Sequence, residues 1–319
     1  IYNEGSIGNI TGDFIGNYVS ASSSGYGGAI ANENSEISLT DSTFKDNYIN
    51  AATDAKGGAI YQGWAGQLYI TAEKKDVVFY NNKANDQYND IYQYIDGDGG
   101  THMDLNAYNG RSIIFNGTIL GEKNDADNDD PVININTANL SGGTYRFNNQ
   151  VSGNSIIIGK TDGTVTAAPT IKLGRAVQED GSISYGNIDN TDINGTIANY
   201  VNNTVLDAQN SKVDAIQTKN LILANAMKLY IDAELSGTRT ADRIIATNVY
   251  SNAAMSASDV SGKLEIAGIN ITAGTRATDD EVRVKVADDN LKELKKYCSK
   301  VYSCHPGEIN RIEKILKEE

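Results

Sequence analysis

The sequence predicts an all-β solenoid of stacked parallel strands, and three observations carry that expectation. Gly27-Gly28-Ala29-Ile30 returns as Gly57-Gly58-Ala59-Ile60 thirty positions later. Each copy is followed by a phenylalanine with an asparagine three residues on: Phe44 with Asn47, and Phe79 with Asn82. Between them lie short alternating segments, Ile37-Ser38-Leu39 and Leu68-Tyr69-Ile70, whose period of two is that of a half-buried strand. A fixed period of this size signals a repeat architecture, not a globule.

The elements follow in order. Ile1 falls where Ile30 and Ile60 fall, and Phe14 and Asn17 follow it, so the chain opens on a third copy with its front cut off. It therefore reads as a fragment whose missing N-terminus carries an export signal. The glycine pairs Gly27-Gly28 and Gly57-Gly58 allow a sharp corner and close backbone approach. Phe14, Phe44 and Phe79 are expected to stack inside, one coil on the next. Asn17, Asn47 and Asn82 are expected to form an amide ladder at a corner, as identical side chains do in cross-β stacks. The polar stretches 20–25 and 50–54 leave the coil as exposed loops. The third unit is longer, with 19 residues from Ile60 to Phe79 against 14 from Ile30 to Phe44. Its extra length takes in Trp64 and Glu73-Lys74-Lys75. An inserted loop of this kind carries binding in solenoids, or Trp64 packs against its own loop. Later rungs are less regular. Residues 96–100 read as a turn, 124–130 as an acidic excursion and 132–136 as a strand. Coils of roughly 20–30 residues give about ten to fourteen rungs and a rod of about 50–65 Å.

The paired motifs, GGA[I/L/V] with FxxN, resemble the repeats of the polymorphic outer-membrane proteins, members of the autotransporter family of Gram-negative surface proteins. The tetrapeptide pattern covers residues 1–82. A looser likeness continues to about residue 290, through Ile113-Ile114-Phe115-Asn116-Gly117, residues 143–149 and Thr170-Ile171-Lys172-Leu173-Gly174. The resemblance implies a right-handed parallel β-helix, exported to the cell surface or secreted across the outer membrane through a barrel that is absent from this chain. It also implies an adhesin acting on a host cell-surface glycan or protein, or on sister cells by self-association. The competing expectations are a β-helix enzyme that cleaves or modifies polysaccharides, and a purely structural stalk.

Bulk properties set further bounds. The chain has 319 residues and a net charge of −14, which disfavours nucleic acid because phosphate neutralisation needs an excess of Lys and Arg. The three prolines suit a ladder that each proline would interrupt. No apolar run is long enough for a membrane-spanning helix. Composition and period change near residue 285. Residues 1–284 are the expected solenoid and 285–319 a short helical hairpin. Leu291 and Leu294 lie on one helix, and Ile309, Ile312, Ile315 and Leu316 follow Pro306 on the other. That tail either caps the coil or belongs to a separate module or fusion. Cys298 and Cys304 lie between its two helices, so an exported chain is expected to pair them, with two free thiols as the alternative.

The catalytic inventory is thin. Asp125, Asp127 and Asp129 have the opening spacing of a calcium loop, but Asp130 stands at position six and Asn136 at position twelve, so a solvated acidic loop is expected. His102, Asp104 and Arg111 read as ordinary loop residues. No nucleophile elbow, His-Glu-x-x-His or phosphate loop is present. The expectation is therefore no enzyme, no cofactor and no metal.

Overall fold

The structure, a computed structural model, describes residues 1–96, 100–126, 128–140, 142–165, 167–192, 194–201, 204–207 and 216–223. Beyond these it describes the backbone of strands Leu229–Asp232, Ile244–Tyr250, Leu264–Ile266, Ile269–Thr275 and Val282–Val286. The expected helical hairpin, with Cys298 and Cys304, lies outside the described residues.

Every regular element among the described residues is a strand. Successive coils contribute strands to three main faces, where strands pair in parallel with their equivalents one coil away; short corner strands also pair, and two of those pairs, Lys83–Ala84 with Gln87–Ile95 and Arg175–Val177 with Ile183–Tyr185, are antiparallel. The first face runs through Tyr2–Asn3, Ile30–Glu33, Ile60–Gly63 and Gln87–Ile95, with Ile30, Ile60 and Ile91 in register. The second runs through Ile7–Ile10, Glu36–Thr40, Gln67–Ala72, His102–Ala107, Val132–Ile135, Ser155–Ile158 and Thr196–Asn199. The third starts at Asp13–Ile15 and continues through nine parallel strands to Leu264–Ile266. It ends in an antiparallel meander of Ile269–Thr275 and Val282–Val286. The described residues give nine rungs on this face, against ten to fourteen expected for the chain. The reason is coil length: in-register residues of the third face are 25 to 36 positions apart, because loops leave the coil at its corners.

The phenylalanines explain the core. All five in the chain, Phe14, Phe44, Phe79, Phe115 and Phe147, form one column on the third face. Ring centroids are 4.6 Å apart for the first two pairs, then 4.8 and 5.6 Å. The spacing is that of hydrogen-bonded strands, so backbone pairing and ring stacking are satisfied by one geometry. Ile30, Ile37, Leu39, Ile60, Leu68 and Ile70 fill the other inner columns, all with at most 1% exposure. In the first coil, Phe14 is half-buried and Ile1 is 53% exposed, since only one side of that coil is covered.

The glycine pair has two separate duties. Gly27 and Gly57 take φ of 60° and 75°, where a Cβ would strike the carbonyl oxygens of Ile30 and Ile60. Gly28 and Gly58 are needed for close approach: a Cβ on Gly28 would lie 2.1 Å from the Gly58 carbonyl oxygen.

The asparagine ladder runs in one direction. Asn17 donates its Nδ2 to Asn47 Oδ1 at 2.8 Å, and Asn47 donates to Asn82 Oδ1 at 2.8 Å. Asn82 then donates to Asp90 Oδ1 at 2.9 Å. Asp90 stands in register with Ala59, in a coil where Tyr88-Asn89-Asp90-Ile91 takes the place of Gly-Gly-Ala-Ile. Its second oxygen accepts the Gly117 N–H at 2.6 Å. Full burial pushes the carboxyl up to about 7, against the opposing pull of the Asn82, Gly117 and Asn116 donors. Two separate amide pairs lie inside the first face, with Asn3 donating to Asn32 at 2.7 Å and Gln93 donating to Gln62 at 3.2 Å.

Two outcomes follow. Phe44→Ala removes the middle of the ring stack and is expected to cost about 3–5 kcal/mol in urea denaturation; a loss under 1 kcal/mol would contradict the stacking. For Asp90, the folded chain holds a proton that the unfolded chain has already released above pH 4. Its stabilising contribution is therefore complete below about pH 4 and lost as pH rises through about 7. Relative to Asp90→Asn, the wild-type chain should lose stability between pH 4 and 7.5, by at most on the order of 4 kcal/mol. Parallel profiles for the two proteins would refute this.

Candidate functional site

The outer side of the second face carries polar groups aimed at solvent from several successive coils. Alternation sends Leu68, Ile70, Met103, Leu105, Ile133 and Ile135 inward and their neighbours outward. Parallel register then aligns the outward residues in rows. Gln67, His102 and Val132 form one row, and Tyr69, Asp104, Asn134 and Ile157 the next. Asn134 donates to Asp104 Oδ1 at 2.8 Å, and Asn106 donates to Thr137 Oγ1 at 2.9 Å. Tyr69 meets the His102 ring edge-on, with centroids 6.0 Å apart.

The turn 159–164 stands over these rows and converts the sheet surface into a groove of about 500 Å³. His102, Asp104, Asn134, Thr137, Lys160 and Asp162 supply its polar groups, and Val132 and Ile157 its apolar floor; Thr101 at its edge is buried, its hydroxyl bonded to the Trp64 and Tyr94 carbonyls. Asp162 is held by the Thr164 N–H at 2.9 Å and hydroxyl at 2.7 Å, and these bonds keep its carboxyl below the usual range. Asp104, Asp162 and Lys160 are the charged groups of the groove. His102 and Asp104 lie on a strand and face the same groove, which corrects the reading of them as loop residues. Arg111 lies in the turn after that strand and does not line the groove.

Trp64 borders this region. Seven described non-glycine residues adopt positive φ. Six are Asn or Asp, which tolerate it, and the seventh is Trp64 at 61°. The equivalent corner one coil earlier is Asn34 at 48°. Trp64 is 49% exposed. Its carbonyl accepts the hydroxyl of Thr101, a residue of the groove. The remaining insertion, Glu73-Lys74-Lys75, wraps onto the preceding coil, where all three N–H groups donate to Asp41 Oδ1 at 2.8–3.2 Å. Burial raises the Asp41 pKa, but these three bonds outweigh it and hold the carboxyl below its usual range.

Other charged clusters are internally satisfied. Lys56 lies between the Tyr92 and Tyr94 rings, 4.8 and 5.1 Å from their centroids, and pairs with Glu122 at 2.8 Å. Lys123 pairs with Asp130 at 2.7 Å, with side-chain exposures of 12% and 1%. That pairing draws one end of the acidic excursion inward, although burial still raises the Asp130 pKa. Asp127 of the same excursion lies outside the described residues. Among the described residues no group of three or more His, Cys, Asp or Glu could hold a metal ion. No helix among them is long and apolar enough to cross a membrane.

Fold and site together define a parallel β-solenoid with a polar groove on one outer face. Comparison with family models, with curated proteins and with solved structures returned no match for this chain.

The two carboxylates predict opposite costs. Asp104→Ala removes a bond on a solvated face and should lower stability by less than about 1 kcal/mol. Asp130→Ala strands the Lys123 ammonium in a buried site and should cost about 3–5 kcal/mol. Equal losses in thermal or urea denaturation would refute the assignment of one to a surface groove and the other to the interior.

Proposed function

We propose that this chain is a rod-like segment of an exported, cell-surface adhesin of the autotransporter type, wound as a right-handed parallel β-helix. Its contact surface is the outer side of the second face. The observation that carries this reading is the groove itself. Polar side chains from successive coils converge there on a rigid scaffold, while the core beneath is continuous and apolar. Rigid presentation of a row of hydrogen-bonding groups suits recognition. The repeat motifs over residues 1–82 supply the link to surface export, and the net charge of −14 argues against nucleic acid as partner. The ligand classes are a host-surface glycan or protein, or a second copy of the chain on a sister cell.

A polysaccharide-cleaving enzyme is the second reading, and one observation favours it: His102 and Asp104 share a strand and a groove. Beads coated with the chain should retain epithelial cells or one another, and Asp104→Ala with Asn134→Ala should reduce retention by about tenfold without altering the circular dichroism. Wild-type beads that hold neither cells nor each other would defeat the adhesin reading. Release of reducing ends from a glycan, abolished by Asp104→Ala, would replace it with the enzyme.

A further inference from the structure

Trp64 is a costly residue for its corner. A bulky side chain at φ of 61° is a backbone outlier, and the same corner one coil earlier is met by Asn34 without that strain. Burial does not compensate, because the side chain is half exposed. The neighbourhood gives the residue a use. Thr101, whose hydroxyl bonds the Trp64 carbonyl, is also a lining residue of the groove, and the Gly66 carbonyl of the same turn accepts the N–H of His102. Trp64 therefore stands on the coil next to the groove's end, tied through its backbone to two groove residues.

We propose that Trp64 and the groove form one binding site for an uncharged oligosaccharide chain, with Trp64 as the stacking platform and Asp104, Asn134 and Thr137 as hydrogen-bonding partners of the hydroxyls. This rests on the recognition role given to the groove above and adds its ligand class. A pyranose ring has apolar C–H faces and a polar rim. The site offers the matching pair, an exposed indole with the Val132 and Ile157 floor on one hand and amide, hydroxyl and carboxylate groups on the other. Coils repeat about every 4.8 Å along the axis, close to the length of one sugar unit, so successive sugars can meet successive coils. The carboxylates of Asp104 and Asp162, on a chain of net charge −14, disfavour a polyanionic glycan.

Trp64 is the single tryptophan, so its fluorescence reports on this site alone. Maltohexaose, laminarihexaose and chitohexaose are titrated against the wild-type chain, with a heparin-derived hexasaccharide and a lysine-rich hexapeptide as controls. At least one neutral hexasaccharide should shift the Trp64 emission to saturation. By calorimetry, Trp64→Asn and Asp104→Ala should each weaken that sugar about tenfold or more, while Trp64→Asn raises the melting temperature. No shift with any neutral sugar overturns the proposal, as does unchanged affinity in Trp64→Asn. A shift only with the heparin fragment overturns the uncharged class, and a shift only with the peptide assigns the groove to a protein partner. If coated beads hold cells but no sugar moves the emission, the sugar site fails and the adhesin reading stands. If a sugar binds but beads hold nothing, the reverse is true.

Discussion

Parallel hydrogen bonding of each coil to the next is the constraint on which the rest of the structure depends. It fixes the separation of equivalent residues at the strand spacing, so whatever a coil places at one position must tolerate a copy of itself directly above. Few side chains gain from that. Phenylalanine does, by stacking its ring faces, and the chain spends all five on one column. Asparagine does, because its amide donates on one side and accepts on the other. Charged groups do not, and those that are buried mark exceptions. Asp90 sits at the end of a run of donors, and Asp130 sits against Lys123.

The same rule shapes the outer surface. Alternation and register bring Tyr69, Asp104 and Asn134 into one row although they are about thirty positions apart in sequence. The scaffold thus gives spatial order to outward residues at no extra cost to the core, which sees only their inward neighbours. Lateral turns such as 159–164 then decide where a flat row becomes a groove. Core and surface are nearly independent in this architecture, and this is why a stability measurement can separate Asp104 from Asp130.

The repeating parts of the fold were legible in the sequence because stacking demands identical residues at a regular interval. Phe14, Phe44 and Phe79, the Asn17–Asn47–Asn82 ladder and the glycine corners could all be read that way. Positions where the chain changes residue type could not. Asp90 stands where two earlier coils have alanine, in a copy without its glycines, and nothing local marks it as equivalent. The inner amide pairs are Asn3 with Asn32 and Gln62 with Gln93, so these positions share no single residue type. His102 and Asp104 read as loop residues because the Asp and Gly cluster of 96–100 interrupts the alternation just before their strand. Asn134, which bonds Asp104, and Lys160, which lines the same groove, come from later coils. Coil length was underestimated because corner loops add residues without adding strands.

The one-way ladder of Asn17, Asn47 and Asn82 has a consequence for how such a rod can vary in length. Asn17 and Asn47 each hand a hydrogen to an identical amide oxygen, so another thirty-residue unit inserted between them would find its donor and its acceptor already provided. Asp90 has no such duplicate: it accepts the Asn82 amide on one side and the Gly117 N–H on the other, so the run of identical amides ends there. Duplication of units is therefore chemically neutral on one side of that carboxylate and disruptive across it, which makes Asp90 the boundary between an extensible part of the molecule and a part of fixed count.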